Sequence, residues 1–105
     1  MLESMRSLQF EALVKAQPEN ELYRFSLAQA LESEGRGAEA IPHYEWCCKR
    51  KADWMVPRIL LGKLLIAAGR RGEAKMILDD ALKLAIEQQH EDPEAELRGL
   101  LADLE

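Results

Sequence analysis

The sequence predicts an all-α fold built from helical hairpins, and three observations support this prediction. Apolar residues recur at steps of three and four, which is the spacing of one helix face. The pattern repeats after 34 residues, and a glycine follows each repeated apolar stretch, where a helix often ends in left-handed backbone. At 105 residues, 48% hydrophobic and 31% charged, the chain has the size and composition of one globular domain, so we expect residues 1–105 to form a single domain.

The internal repeat is clearest where residues 27–40 are aligned with residues 61–74. The matched pairs are Leu27 with Leu61, Ala28 with Gly62, Leu31 with Leu65, Gly35 with Gly69, and Ala40 with Ala74. Each leucine pair has the i, i+4 spacing of one helix face, and the small residue beside it allows a second helix to approach closely. Each aligned segment is therefore predicted to be a helix, a glycine turn and the start of a second helix.

Six helices are predicted in chain order. Their expected ranges are about 2–16, 20–34, 38–51, 54–68, 72–89 and 93–104. The second helices of the hairpins are predicted to bury two stripes, formed by Ala40, Ile41, Tyr44, Cys47 and Cys48, and by Ala74, Ile77, Leu78, Ala81 and Leu82. In the last helix, Asp92 is the predicted N-cap and Pro93 the first helical residue. An apolar stripe of Leu97, Leu100, Leu101 and Leu104 makes this helix a predicted cap on the stack.

These motifs resemble the tetratricopeptide repeat family, whose 34-residue unit is a helix-turn-helix. The match rests on Leu61, Gly62, Leu65, Gly69, Ala74, Leu78 and Ala81, and on Leu27, Ala28, Leu31, Gly35, Ala40, Tyr44 and Cys47. Phe10, Leu13 and Pro18 match one period earlier, which indicates the second helix of a unit whose first helix is absent. The sequence departs from the family where Ala52 and Ile86 replace the closing proline, and where Arg24 and Arg58 replace an aromatic residue.

The resemblance implies a right-handed α–α superhelix with a terminal capping helix. It divides the chain into a partial unit at 2–18, a first full repeat at 21–54, a second at 55–88 and the capping helix at 92–104. The chain is similar to short, two-unit members of the family, from which we expect a bacterial, stand-alone protein that binds other proteins.

In this family the first helices of successive units line a concave groove, which implies where a polypeptide would bind. The groove positions would be Leu22, Phe25, Gln29, Glu32, Val56, Ile59, Lys63 and Ile66. Phe25 and Ile59 are the expected anchors, with Lys63 or Gln29 orienting the ligand. Two other uses of this apolar stripe stay open at the level of sequence: the N-terminal or capping helix could cover it, or a second copy of the chain could share it in a homodimer.

Charge is unevenly distributed along the chain. The net charge is −5, but residues 49–75 carry a local balance of +6 between more acidic neighbours. The favoured interpretation is that this basic segment neutralises the acidic helices once they pack. Nucleic-acid binding through the segment is a remote alternative, because aromatic residues that could stack on bases are nearly absent from it.

The residues that could carry catalysis are few. His43 and Cys47 are at i and i+4, but no third group orients them and no oxyanion-stabilising group is evident, so a packed histidine beside a core cysteine is the favoured interpretation. No phosphate-binding loop or metal-ligand spacing occurs, so we expect no enzyme activity and no cofactor or metal. The start of the sequence lacks the features of a signal peptide, and no apolar run is long enough to span a bilayer, so we expect a cytoplasmic chain that does not contact the membrane.

Overall fold

The computed structural model describes the backbone of residues 2–105 and the side chains of residues 6–105. The described backbone forms six α-helices and no strand. Their bounds are α1 Leu2–Ala16, α2 Glu21–Ser33, α3 Gly37–Arg50, α4 Met55–Ala67, α5 Arg71–Glu87 and α6 Glu91–Asp103. Each helix lies within two residues, at both ends, of the range predicted from the apolar periodicity. Within the described residues no helix has the length and hydropathy needed to cross a membrane.

The helices form two compact units, Met1–Ala52 and Asp53–Glu105. In the first unit α2 packs against both α1 and α3. In the second unit α5 packs against both α4 and α6. Two predictions stay untested: that residues 1–105 form a single domain, and that the repeats have the boundaries given above.

Each unit has a hairpin core made from the repeated positions. In the first unit the buried residues include Leu27, Ala28, Leu31, Ala40, Ile41, Tyr44, Cys47 and Cys48. In the second unit they include Leu61, Gly62, Leu65, Ala74, Leu78, Ala81 and Ala85. Ile77 and Leu82, which the sequence placed in the same stripe, are half-buried. The two small residues, Ala28 and Gly62, lie inside these cores, as their predicted role in close helix approach requires.

The glycines that end the first helices have the backbone conformation that the sequence predicted. Gly35 and Gly69 have φ of +76° and +77°. After α2 the Arg36 amide donates to the Leu31 carbonyl at 2.9 Å, and after α4 the Arg70 amide donates to the Leu65 carbonyl at 2.8 Å. These bonds have the six-to-one pattern of a Schellman motif, which satisfies helix carbonyls that would otherwise lack a donor.

The α5–α6 turn has the same geometry but a different residue. Gln89 has a φ of +57°, and the His90 amide donates to the Ala85 carbonyl at 2.9 Å. The prediction that Asp92 caps α6 is wrong, because the motif at the end of α5 brings the chain directly into the next helix at Glu91 with His90 as the N-cap. Pro93 is then the third helical residue, where its missing N–H would have had no partner within the helix.

A polar contact ties α1 to the end of α2. Ser7 is completely buried, and its hydroxyl donates to the Glu34 carboxylate at 2.8 Å. The Ser7 backbone amide donates to the other carboxylate oxygen of Glu34 at 3.2 Å. The side chain of Glu34 is only 5% exposed, and the Arg36 guanidinium lies 3.4 Å from its carboxylate. A buried carboxylate is therefore held by two donors and a cation, which is the condition for its burial to be tolerated.

Replacing Gly62 tests the close approach in the second hairpin. A Cβ atom at this position would lie 2.6 Å from Leu78 Cγ, which is fully buried and has little room to shift. We expect Gly62→Ala to lower the free energy of unfolding by about 1–2 kcal/mol in urea titrations, because the overpacking cost exceeds the gain in helix propensity. Gly99→Ala in α6 is the matched control: its Cβ would meet nothing within 4 Å, so it should be neutral or stabilising. Equal effects of the two changes would contradict the close approach.

Replacing Gln89 tests the third turn. Left-handed backbone is unfavourable for a residue with a Cβ, so Gln89→Gly should raise the free energy of unfolding by about 1 kcal/mol. Gln89→Ala keeps the Cβ and should give no comparable gain. Thermal and urea unfolding followed by circular dichroism would measure both variants. A destabilising Gln89→Gly would show that the turn does not hold this conformation in solution.

Candidate binding face on the first helices

The α2 face is the side of α2 formed by Leu22, Phe25, Gln29 and Glu32. These residues are spaced by three and four, so they share one side of the helix, and they are distinct from the core stripe of that helix. Leu22 is 67% exposed and Gln29 is exposed, whereas Phe25 and Glu32 are half-buried. The α2 face thus presents a large, exposed apolar side chain beside polar ones.

Tyr44 of α3 lies beneath the α2 face and holds two of its members. Tyr44 is completely buried, and its ring meets that of Phe25 edge-on with centroids 5.8 Å apart. Its hydroxyl donates to the Glu32 carboxylate at 2.8 Å. Burial, and then the bond to Glu32, raises the pKa of Tyr44 well above its ordinary range, so the hydroxyl stays a proton donor. The prediction that Tyr44 packs in the core is confirmed, but its contact with Glu32 was not predicted.

The α4 face is the corresponding side of α4, formed by Val56, Ile59, Lys63 and Ile66. Val56 is 49% exposed and Ile66 is half-buried. Ile59, which we expected to be an anchor, is buried with 8% exposure, so Val56 presents the larger apolar surface on this face. The Lys63 ammonium is exposed and lies 2.8 Å from the Glu96 carboxylate of α6. The capping helix therefore contacts the polar member of the α4 face.

Of the eight basic residues in segment 49–75, Arg50, Lys63 and Arg70 form ion pairs within their own unit. Arg50 lies 2.7 Å from the Glu19 carboxylate and 3.5 Å from that of Glu21. In the second unit Lys63 pairs with Glu96, and Arg70 pairs with Glu73. Arg50 and Lys63 thus pair with acidic residues outside the segment, whereas Arg70 pairs with an acid of the segment itself. Neutralisation of the whole segment by its acidic neighbours stays a prediction.

His43 and Cys47 have the properties of packed residues rather than of a catalytic pair. Cys47 is fully buried, and burial, followed by the neighbouring Cys48, raises its pKa to about 12. A thiol with such a pKa is a poor nucleophile near neutral pH. His43 is half-buried, and its Nδ1 atom is buried without a hydrogen-bond partner among the described residues. Within residues 6–105 no three histidine, cysteine or acidic side chains are grouped as metal ligands.

One cluster in the first unit was not predicted from the sequence. The Arg24 guanidinium lies over the Trp46 ring, 4.6 Å from its centroid, and the Arg50 guanidinium lies 5.6 Å from the same centroid. Such cation–π contacts stabilise by roughly 0.5–1 kcal/mol where they are exposed. The i, i+4 spacing of Trp46 and Arg50 was the only local signal. Arg24 stands where the family has an aromatic residue, and it contacts an aromatic residue of the next helix instead.

Comparison with known proteins shows the fold. No family model matches the chain, and no curated protein sequence matches it significantly. Among solved structures, the translocator chaperone SycD of type III secretion in Yersinia enterocolitica superposes with a TM-score of 0.89 at 16% identity, over 97% of this chain and 71% of SycD. PcrH of Pseudomonas aeruginosa, in complex with the chaperone-binding region of PopD, gives 0.84 at 19% identity, over 93% of this chain and 74% of PcrH.

A eukaryotic domain is similar in the same way. The TPR2B domain of yeast Sti1, in its complex with pHsp70, superposes with a TM-score of 0.80 at 19% identity, over 93% of this chain and 78% of that domain's chain. The six helices and these similarities confirm the prediction of an all-α fold of the tetratricopeptide type.

The position of His43 predicts a pH-dependent stability. Burial, and then the neighbouring Arg24, lowers the pKa of His43 below its ordinary 6.5, against the opposing charge of Glu11. The unfolded chain therefore binds the proton more readily, so this contribution to stability is complete above about pH 6.5 and is lost as the pH falls. His43→Gln should reduce the loss of unfolding free energy between about pH 7.5 and pH 5.5 in urea titrations.

The chain offers a matched control for this experiment, because its second histidine, His90, is exposed. His90→Gln should keep the pH dependence of the wild type. If His43→Gln keeps it as well, or if only His90→Gln reduces it, burial of the His43 imidazole is not its source.

Proposed function

We propose that this chain is a protein-binding module, and that the apolar side chains of the α2 face and the α4 face bind a polypeptide segment. One observation carries the proposal. Leu22 and Val56 are separated by the 34-residue period, and both are large apolar side chains that are extensively exposed, at 67% and 49%. The same position of each first helix thus presents apolar surface that its own hairpin does not bury.

The surroundings of the two side chains support a binding role. On the α2 face Leu22 is followed by half-buried Phe25 and then by exposed Gln29, and on the α4 face Val56 is followed by exposed Lys63 and half-buried Ile66 further along the helix. Grooves that bind amphipathic or extended segments commonly combine apolar contact residues with polar residues nearby. The proposal includes the concave groove that the family resemblance implies, in which one segment would contact both faces.

The structural neighbours support the same class of function. SycD is named a chaperone, PcrH is seen with the chaperone-binding region of PopD, and the Sti1 domain is seen with pHsp70. At 16–19% identity these proteins share the fold with this chain, and we infer by analogy that its partner is also a polypeptide.

Serine substitutions on the two faces test the proposal. Peptides that bind the wild-type protein are first selected from an array of synthetic peptides. The double variant Leu22→Ser, Val56→Ser should bind these peptides about tenfold more weakly, or worse, as expected when apolar anchors are removed. Fluorescence anisotropy with the selected peptides would measure the affinities. The fold should be kept, because both side chains are largely exposed.

Met76→Ser is the matched control, because Met76 is 72% exposed but lies on α5. It should leave the affinities unchanged. The proposal would be contradicted if no peptide bound the wild type, or if Met76→Ser weakened binding as much as the double variant. It would also fail if light scattering showed a wild-type dimer that the double variant converts to a folded monomer, since the two faces would then bind a second copy of the chain.

A further inference from the structure

The Glu32 carboxylate is the charged group of the α2 face, and among the described side chains 6–105 it has no cationic partner. It is half-buried, and it forms no ion pair with any lysine, arginine or histidine among the described side chains. Several other acids of the same unit are paired, among them Glu34 and Glu39 with Arg36, and Glu21 with Arg50. A partly buried carboxylate attracts a cation more strongly than one fully in water, because solvent screens it less.

Tyr44 fixes the position of this carboxylate. The Tyr44 hydroxyl donates one hydrogen bond to Glu32 Oε1, while the ring is completely buried against Phe25. The carboxylate is therefore held on the α2 face instead of turning freely into solvent. Two carboxylate oxygens can accept about four hydrogen bonds, so one bond from Tyr44 leaves acceptor capacity for a ligand.

The repeat shows that this charge is not a general requirement of the fold. One period later, Ile66 stands at the position of Glu32, and Leu78 stands at the position of Tyr44. The second hairpin thus forms with apolar residues at both positions, and Leu78 is as completely buried as Tyr44. The Tyr44–Glu32 pair is therefore a feature of the first hairpin alone, and its charge is available for recognition.

We propose that Glu32 binds a lysine or arginine side chain of the polypeptide segment whose apolar residue contacts Leu22 and Phe25. This inference rests on the proposed function and specifies the chemistry of the partner. Phe25 and Glu32 are seven residues apart, which is about 10 Å along the helix axis. An extended segment advances about 3.3 Å per residue, so its basic residue lies about three positions from its apolar residue.

The experiment uses an array of synthetic peptides in which one leucine is fixed. The residue three positions away, on either side, is varied through arginine, lysine, glutamine and glutamate, and the intact chain is the probe. Wild-type protein should bind the arginine and lysine peptides about tenfold more tightly than the glutamine peptides, as expected for a charge-assisted pair. The preference should weaken at high salt, because the pair is only partly buried.

Three variants test the role of the positioned Glu32 carboxylate against that of net charge. Glu32→Gln should bind all four peptide types alike. Glu45→Gln changes the net charge by the same amount but lies on α3, so it should keep the preference for basic peptides. Tyr44→Phe keeps the Glu32 charge but removes the hydrogen bond that positions it, so it should lower the preference without abolishing it. Circular dichroism would verify that each variant is folded.

The outcomes distinguish this inference from the proposed function. If Leu22→Ser weakens binding while wild-type protein binds all four peptide types alike, or prefers glutamate, the role of Glu32 is overturned but the proposed function is not. A preference for basic peptides that persists in Glu32→Gln would also overturn it. If no peptide of the array bound the wild type, the proposed function would fail and this inference with it.

Discussion

The close approach of the two helices in each hairpin is the constraint on which the rest of the structure depends. At Gly62 there is no space for even one additional carbon beside Leu78, and Ala28 at the same position of the first hairpin is completely buried. Because the helices pack so closely, only one side of each first helix lies in the hairpin core. Leu22 and Val56 face elsewhere, and their apolar character is then not explained by the fold of the hairpin itself.

The first unit shows how polar groups are arranged around such a core. Glu34 is buried where α1 meets the end of α2, and there it accepts bonds from Ser7 and lies beside Arg36. Glu32, only two residues earlier, receives a hydrogen bond from Tyr44, and no cation among residues 6–105 pairs with it. The first carboxylate has the contacts of a structural residue. The second has the contacts of a group that is positioned for a ligand, and this difference is the basis of the inference about a basic partner residue.

Much of the fold could be predicted because its signals are local. The leucine spacing in residues 27–31 and 61–65, with glycines four residues later, predicted helix ends to within two residues and the left-handed turns at Gly35 and Gly69. The predicted N-cap of α6 was wrong. Asp92 and Pro93 have the sequence of an N-cap and a first helical residue, but the turn at Gln89 places the start of the helix two residues earlier.

The candidate site was less predictable, because it depends on side-chain contacts between helices. The periodicity placed Ile59 and Val56 on one side of α4, but it could not show that Ile59 is buried and Val56 is not. The contacts of Tyr44 with Glu32, and of Arg24 with Trp46, join residues on different helices that have no shared sequence motif. The assignment of the eight face residues to a binding site stays a prediction.

Binding of a polypeptide to the first helices, α2 and α4, can be measured residue by residue with chemical-shift mapping. A two-dimensional ¹H–¹⁵N spectrum of the labelled chain would be recorded before and after addition of a peptide selected from the array. We expect the largest shifts on the exposed sides of α2 and α4, around Leu22, Gln29 and Val56. Shifts confined to the outer surfaces of α3 and α5, with those three residues unchanged, would contradict binding to the first helices.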